Sequence, residues 1–171
     1  PEWRRIGAFH LEDDGTVGAV WLAHDMQSSV VHCYDAAKFS REVAAVIAQG
    51  IGARGRHYPF AWRKQDKAFA EKLEEAGINI LPDPSHDDPK MAEVISREIW
   101  QRLRSSQLRV DKRVGDWLEE YRQYFRDESN VPTKGFPLMS ATRHAIEMLD
   151  YAEAERSYSQ TKNFNPRISV V

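Results

Sequence analysis

Cysteine is nearly absent from this chain: Cys33 is the single one among 171 residues. A lone thiol rules out an internal disulfide framework and suits a reducing compartment, so a cytoplasmic setting is expected. Its neighbours, VVHCYD, have the composition of a strand, and an inert buried thiol is the expectation. Long apolar runs are missing too. None approaches the roughly 20 residues that span a bilayer, and the N-terminus has no signal-peptide pattern, so no membrane role is expected. Neither sign of charge dominates: 24 Lys and Arg stand against 26 Asp and Glu, for a net charge of −2. That balance excludes a protein whose whole surface neutralises phosphates, and any nucleic-acid contact has to come from local patches. No GxxxxGK[ST] phosphate loop occurs, which excludes P-loop ATPase chemistry from these residues. The histidines show no HxxxH or His–Cys spacing, against a zinc site. The stretch DPSHDDP lacks the alternating ligands and distal Glu of a calcium loop. Internal repeats and low-complexity segments are absent.

The chain does have material for a core. Hydrophobic residues make up 42% and aromatic residues 11%, with five Trp, seven Phe and six Tyr. Each large ring can bury about 150–250 Å², and the length suits one domain. That domain is expected over residues 1–154, with 155–171 as a weakly structured tail; a chain opening on Pro1 is expected to be a fragment or a processed product.

Periodicity divides the domain into elements. Arg4–Leu11, Val17–Ala23 and Val30–Tyr34 are rich in β-branched and aromatic residues and are joined by the short turns EDDG and HDMQSS, which predicts an antiparallel meander. From Ser40, read as an N-cap, the period changes to helical, with Val43, Ile47 and Ile51 on one face and Gly50 and Gly52 at the close. A strand over His57–Trp62, a helix over Asp66–Ala76 and a strand over Ile78–Pro82 follow. Then come a loop over Asp83–Lys90, a helix over Met91–Gln107 and a short strand over Leu108–Val110. The series ends with a helix over Val114–Phe125, a loop of DESNVPTKG, and a last helix from about Leu138 to Ala154. Its apolar stripe is Leu138, Ala141, Ala145, Met148 and Leu149. A meander continuing into alternating strand–helix units predicts a ribonuclease H-like α/β fold. It would have a central mixed sheet of about five strands, the first strand central and the fourth beside it, and helices on both faces.

Three stretches also carry a resemblance. IGAFHLEDDGTVGAVWLAHD is similar to a family's first hairpin, and YPFAW followed by RKQDK to its fourth strand. EKLEEAGINILP, VGDWLEEYRQYFRD and LMSATRHAIEML match the remainder in order. From Arg5 to about Ala154 the sequence resembles the C-terminal nuclease domain of the large terminase subunit of tailed bacteriophages and prophages, the packaging motor that cuts concatemeric DNA. The resemblance implies a two-metal mechanism, in which Mg²⁺ or Mn²⁺ ions held by carboxylates activate a water and stabilise the leaving oxygen. It also implies double-stranded DNA of the phage genome concatemer as partner, with a terminase ATPase domain, small terminase subunit or portal, in the host cell cytoplasm. Any ATPase domain would precede Pro1.

The ligand positions depart from that pattern. The first-strand aspartate falls on His10, and the acid four residues later is kept as Asp14. The fourth-strand aspartate falls on Gln65, with Asp66 next to it, and an acidic pair ahead of LMSATR falls on Phe136 and Pro137. Catalytic residues are therefore not intact, and His10, Asp14 and Asp66 are the metal candidates; no cofactor is expected unless an active site takes Mg or Mn. Arg54, Arg56, Arg63 and Lys64, flanking the fourth strand, and Lys134 and Arg143, flanking the last helix, are the DNA-binding candidates. The leading expectation is a terminase nuclease domain with an impaired two-metal site and a residual DNA- or motor-contacting role. The alternatives are an active endonuclease using rearranged acids and a protein-interaction module that binds no DNA.

Overall fold

A computed structural model of the chain describes residues 3–86, 88–124, 132 and 134–154. The expected tail over 155–171 and most of the loop over 127–135 lie outside the described residues.

The meander forms as the alternation predicts. Strand β1 (Trp3–Leu11) pairs antiparallel with β2 (Thr16–Asp25), and β2 with β3 (Val30–Ser40). The third strand is longer than its β-branched core suggested. Its register runs out to Thr16 opposite Ser40, past a bulge opposite Trp21 and Leu22. Ser40 thus ends a strand instead of capping a helix, and α1 (Ala44–Gly52) starts after Val43. Val43 is 66% exposed, so only Ile47 and Ile51 of the expected face are buried.

Strand β4 (Phe60–Ala61) lies parallel to β1 at Gly7 and Ala8, and the sheet order is β4-β1-β2-β3-β5. Strand β5 (Leu108–Val110) pairs parallel with β3. The expected strand at Ile78–Pro82 is reduced to one parallel bridge between Phe60 and Ile80, beside a β4 that is itself only two residues long. A last short strand, β6 (Glu153–Ala154), pairs antiparallel with Arg4 and Arg5 of β1. The fold is therefore the mixed, ribonuclease H-like α/β sheet; β1 lies between β4 and β2 as an inner strand, and the middle place in the order goes to β2.

Alternation along β1 and β2 sorts the helices. Phe9 packs edge-on against Phe69 of α2 (Lys67–Glu75), and Trp21 edge-on against Phe60. Gly7 shares that face because a Cβ there would come within 2.3 Å of the Phe60 ring. The opposite face, with His10, Gly18 and Val20, takes α5 (Pro137–Glu147), whose residues from Pro137 to Ile146 are all buried. Here Gly18 is required by close approach: a Cβ would sit 2.5 Å from the Pro137 carbonyl carbon. Helices α3 (Pro89–Arg104) and α4 (Gly115–Tyr124) pack outside α5. The expected last helix stops at Glu147, and a 3-10 turn over Leu149–Tyr151 leads into β6. Cys33 is fully buried in β3, and burial pushes its thiol pKa up, which makes it inert.

Candidate functional site

The C-terminal end of β1, the turn after it, the segment after β4 and the N-terminus of α5 meet at one end of the sheet. His10 is on the α5 face and 2% exposed. Its Nδ1 lies 3.1 Å from His144 Nε2, and His144 Nδ1 lies 2.8 Å from Ser85 Oγ. His10 Nε2 stands 3.7 Å from the Glu12 carboxylate. One set of tautomers satisfies the row: the Ser85 hydroxyl donates to His144, His144 donates to His10, and His10 Nε2–H faces Glu12. Burial, then the charges of Arg63 and Arg143, lower the His10 pKa to about 3. Burial and the same surroundings lower that of His144 as well, so both rings are neutral.

Gln65 and Asp66 are on a 3-10 turn (Lys64–Asp66), not on a strand, so the strand rule that neighbours point to opposite faces does not govern them. Gln65 is exposed, whereas Asp66 is 5% exposed and turned toward β1. Its Oδ2 accepts from Arg63 Nε at 2.9 Å and from the Leu11 amide at 3.4 Å, while Arg63 also donates to the Leu11 carbonyl at 2.7 Å. Asp66 thus ties the segment after β4 to the end of β1.

Phe136 is the N-cap residue of α5 and packs edge-on against Tyr124; Pro137 is at N1, where it has no N–H to leave unbonded. The next two amides, Leu138 and Met139, both donate to Glu120 Oε2, at 2.9 and 3.1 Å. A carboxylate from α4 therefore neutralises the positive end of α5. Burial raises the Glu120 pKa, opposed by those amides and by Lys38, whose Nζ is 3.3 Å from Oε1.

A cleft of about 360 Å³ opens beside this helix start, lined chiefly by Glu12, Asp13, Asp14, Lys38, Glu120 and Lys134. Asp14 accepts from the Thr16 amide within its turn, Lys134 pairs with Asp13, and the Gly135 amide donates to Glu12 at 3.2 Å. Among the described residues no three His, Cys, Asp or Glu side chains converge as ligands of one ion. Of the basic candidates, Arg63, Lys134 and Arg143 reach this end of the sheet, and Lys64 is exposed beside it. Arg54 is instead on the α1 face, paired with Asp35 and stacked over Trp21, and Arg56 lies against Gly52 of α1.

Sequence reasoning missed Glu120, His144 and Ser85. Two of them had a signal: Glu120 falls on the aromatic stripe Trp117–Glu120–Tyr124, and His144 three residues after Ala141 on the apolar stripe of α5. A polar group on a buried stripe needs a partner. Ser85, in a loop of polar residues, had none.

No protein-family model and no curated protein matches the sequence. Solved structures do match in fold. The nuclease domain of the phage P22 large terminase aligns with a TM-score of 0.80 at 18% identity, over 90% of this chain and 84% of that one. The large terminase nuclease domain of bacteriophage SPP1, solved with bound Mn, aligns with a TM-score of 0.66 at 16% identity, over 86% of each chain. The terminase nuclease domain of human cytomegalovirus, soaked in Mn, gives 0.56 at 13% identity, over 85% of this chain and 87% of that one. The fold of this chain is thus the one shared by large terminase nuclease domains.

Proposed function

We propose that the chain is the nuclease domain of a phage or prophage large terminase, with an impaired two-metal site and a residual role in contacting DNA or the packaging motor. The observation that carries this reading is His10. At the first-strand ligand position stands a neutral, buried imidazole whose Nδ1 is taken by His144. The nearby acids are no better placed: Asp66 is bound to Arg63, and Asp14 serves its own turn. Phe136 and Pro137 bring no ligand atom from their side chains. Two divalent cations need several carboxylates to offset their mutual repulsion, and the Arg63 and Arg143 charges add to it. Those residues fit a pair of Mg²⁺ or Mn²⁺ ions poorly, although such ions would supply water activation if bound.

The same cations suit phosphates. Lys134 lines the cleft, Arg63 and Lys64 follow β4 at the same end of the sheet, and double-stranded DNA is the partner that the fold suggests. The remaining partners of the reading are an ATPase domain, a small terminase subunit or a portal, acting in the host cytoplasm. Among the described residues no helix is long and apolar enough to cross a membrane. A second reading, a module for protein contacts alone, draws on exposed Val43 and Val46 at the start of α1.

Plasmid nicking with Mn²⁺, with and without EDTA, tests the proposal. The expected result is no cleavage in either case, together with duplex binding that persists in EDTA and weakens steeply with salt. Strong EDTA-sensitive cleavage would overturn the impaired site. Absence of any salt-dependent binding would favour the protein-contact module.

A further inference from the structure

Arg143 is a buried cation that has no counter-ion among the described residues. It is 6% exposed, on the second turn of α5. One terminal guanidinium nitrogen donates to Tyr124 Oη at 2.8 Å and the other to Ser140 Oγ at 3.2 Å. Tyr124 Oη is in turn 3.0 Å from Ser96 Oγ on α3. These are neutral oxygens, and among the described residues no carboxylate stands within ion-pair distance of Arg143. The contrast with other sheltered cations is plain. Arg54 has Asp35, Arg63 has Asp66, Arg102 has Glu98 and Lys38 has Glu120.

Desolvating a guanidinium with no opposite charge is unfavourable. Hydroxyl partners recover part of that, and they use two of the roughly five N–H donors that the group carries. Departures from the packing rules of this kind concentrate at functional sites, and an anionic ligand would supply the missing charge. The planar fork of Arg matches the oxygens of a phosphate, and two hydroxyls already hold it in one orientation. Its field also reaches the candidate site, since the Arg143 charge is felt at both His10 and His144.

We infer that Arg143 is the anion receptor of this end of the molecule, a preset guanidinium between α4 and α5 that takes a phosphate oxyanion. The inference deepens the DNA-contacting reading and rests on it only for the source of the phosphate, which is either a DNA phosphodiester or free inorganic phosphate. The rival role is a structural clamp joining α4 to α5 through Tyr124.

Thermal unfolding of the full chain in inorganic phosphate against chloride at equal ionic strength separates the two roles, with binding of a short DNA duplex as the second arm. A receptor predicts that phosphate raises the Tm of the wild type and not of Arg143→Met. It also predicts that Arg143→Met unfolds no lower than wild type in chloride, because a buried unpaired charge has gone. Ser140→Asp places a carboxylate beside the guanidinium from inside and should abolish the phosphate response while keeping the fold. That variant covers the case in which Arg143→Met fails to fold. On DNA, Arg143→Met should weaken duplex binding about tenfold and reduce the salt slope by about one. A phosphate response with unchanged duplex binding supports the receptor and assigns it to free phosphate. If the wild type binds no duplex at all, the DNA reading fails while the phosphate arm still decides the receptor. A wild type and an Arg143→Met variant that respond identically to phosphate and to duplex, or a phosphate response that survives in Ser140→Asp, would overturn the inference.

Discussion

A histidine buried beside two guanidiniums resists protonation, and that resistance has a direct cost in acid. His10 has a folded-state pKa of about 3, well below the ordinary 6.5, with burial the largest cause. Between those two values the unfolded chain binds the proton and the folded chain does not, so folding stability rises with pH across the interval. The contribution is complete above the unfolded value and is lost as pH falls through the window toward 3. One such group contributes a slope of up to about 1.4 kcal/mol per pH unit. Denaturant midpoints measured down this window should fall more steeply for the wild type than for His10→Gln, which cannot be protonated. Parallel profiles would show that the imidazole is not buried in its neutral form. The resemblance drew attention to His10, but nothing local in the sequence said that its partner is another histidine 134 residues away. At Gln65 and Asp66 the strand rule pointed to the wrong geometry, since a 3-10 turn sets which of two neighbours faces inward.

Among elements, α5 depends on a residue outside itself. Its first turn has no capping side chain of its own, and the Leu138 and Met139 amides rely on Glu120 from α4. Glu120→Ala should therefore destabilise the domain by about 1–3 kcal/mol, the range for leaving buried donors unmatched. Glu120→Gln, which keeps one acceptor oxygen, should recover most of the loss. Urea unfolding of both variants checks this, and equal midpoints for the two would mean that charge, not acceptance, anchors the helix. The stripe that located α5 was legible because its spacing is local. The helix end at Glu147 was not, because the following residues leave the helix to pair with β1. The strand at Leu108–Val110 was visible for its composition, whereas Ile78–Pro82 had the same composition and forms only one bridge. Strand formation there depends on a partner's length, which no local pattern contains.

At the scale of the whole molecule, the order of elements and the place of β1 beside β4 followed from three linked strands and the crossovers after them, and the solved terminase nuclease domains share the fold. The site was less legible, because its members arrive from β1, a 3-10 turn, α4 and α5, and their meeting depends on tertiary packing. The β1–β6 pairing has a consequence for chain connectivity. With Arg4 opposite Ala154, the two ends of the described fold are neighbours in one ladder. The exposed turn from Met26 to Ser29 is far from them along the sequence and is held by local bonds, from the Gln27 amide and the Ser28 hydroxyl to Asp25 and from the Val30 amide to Ser28 Oγ. A circular permutant that joins the ends through a short linker and opens between Gln27 and Ser28 should unfold in a single cooperative transition, with circular dichroism matching the parent. Broad, non-cooperative melting would mean that the β2–β3 turn is needed to bring its strands together. Success would mean that this fold can be spliced into a loop of another polypeptide with both of its junctions on one sheet edge.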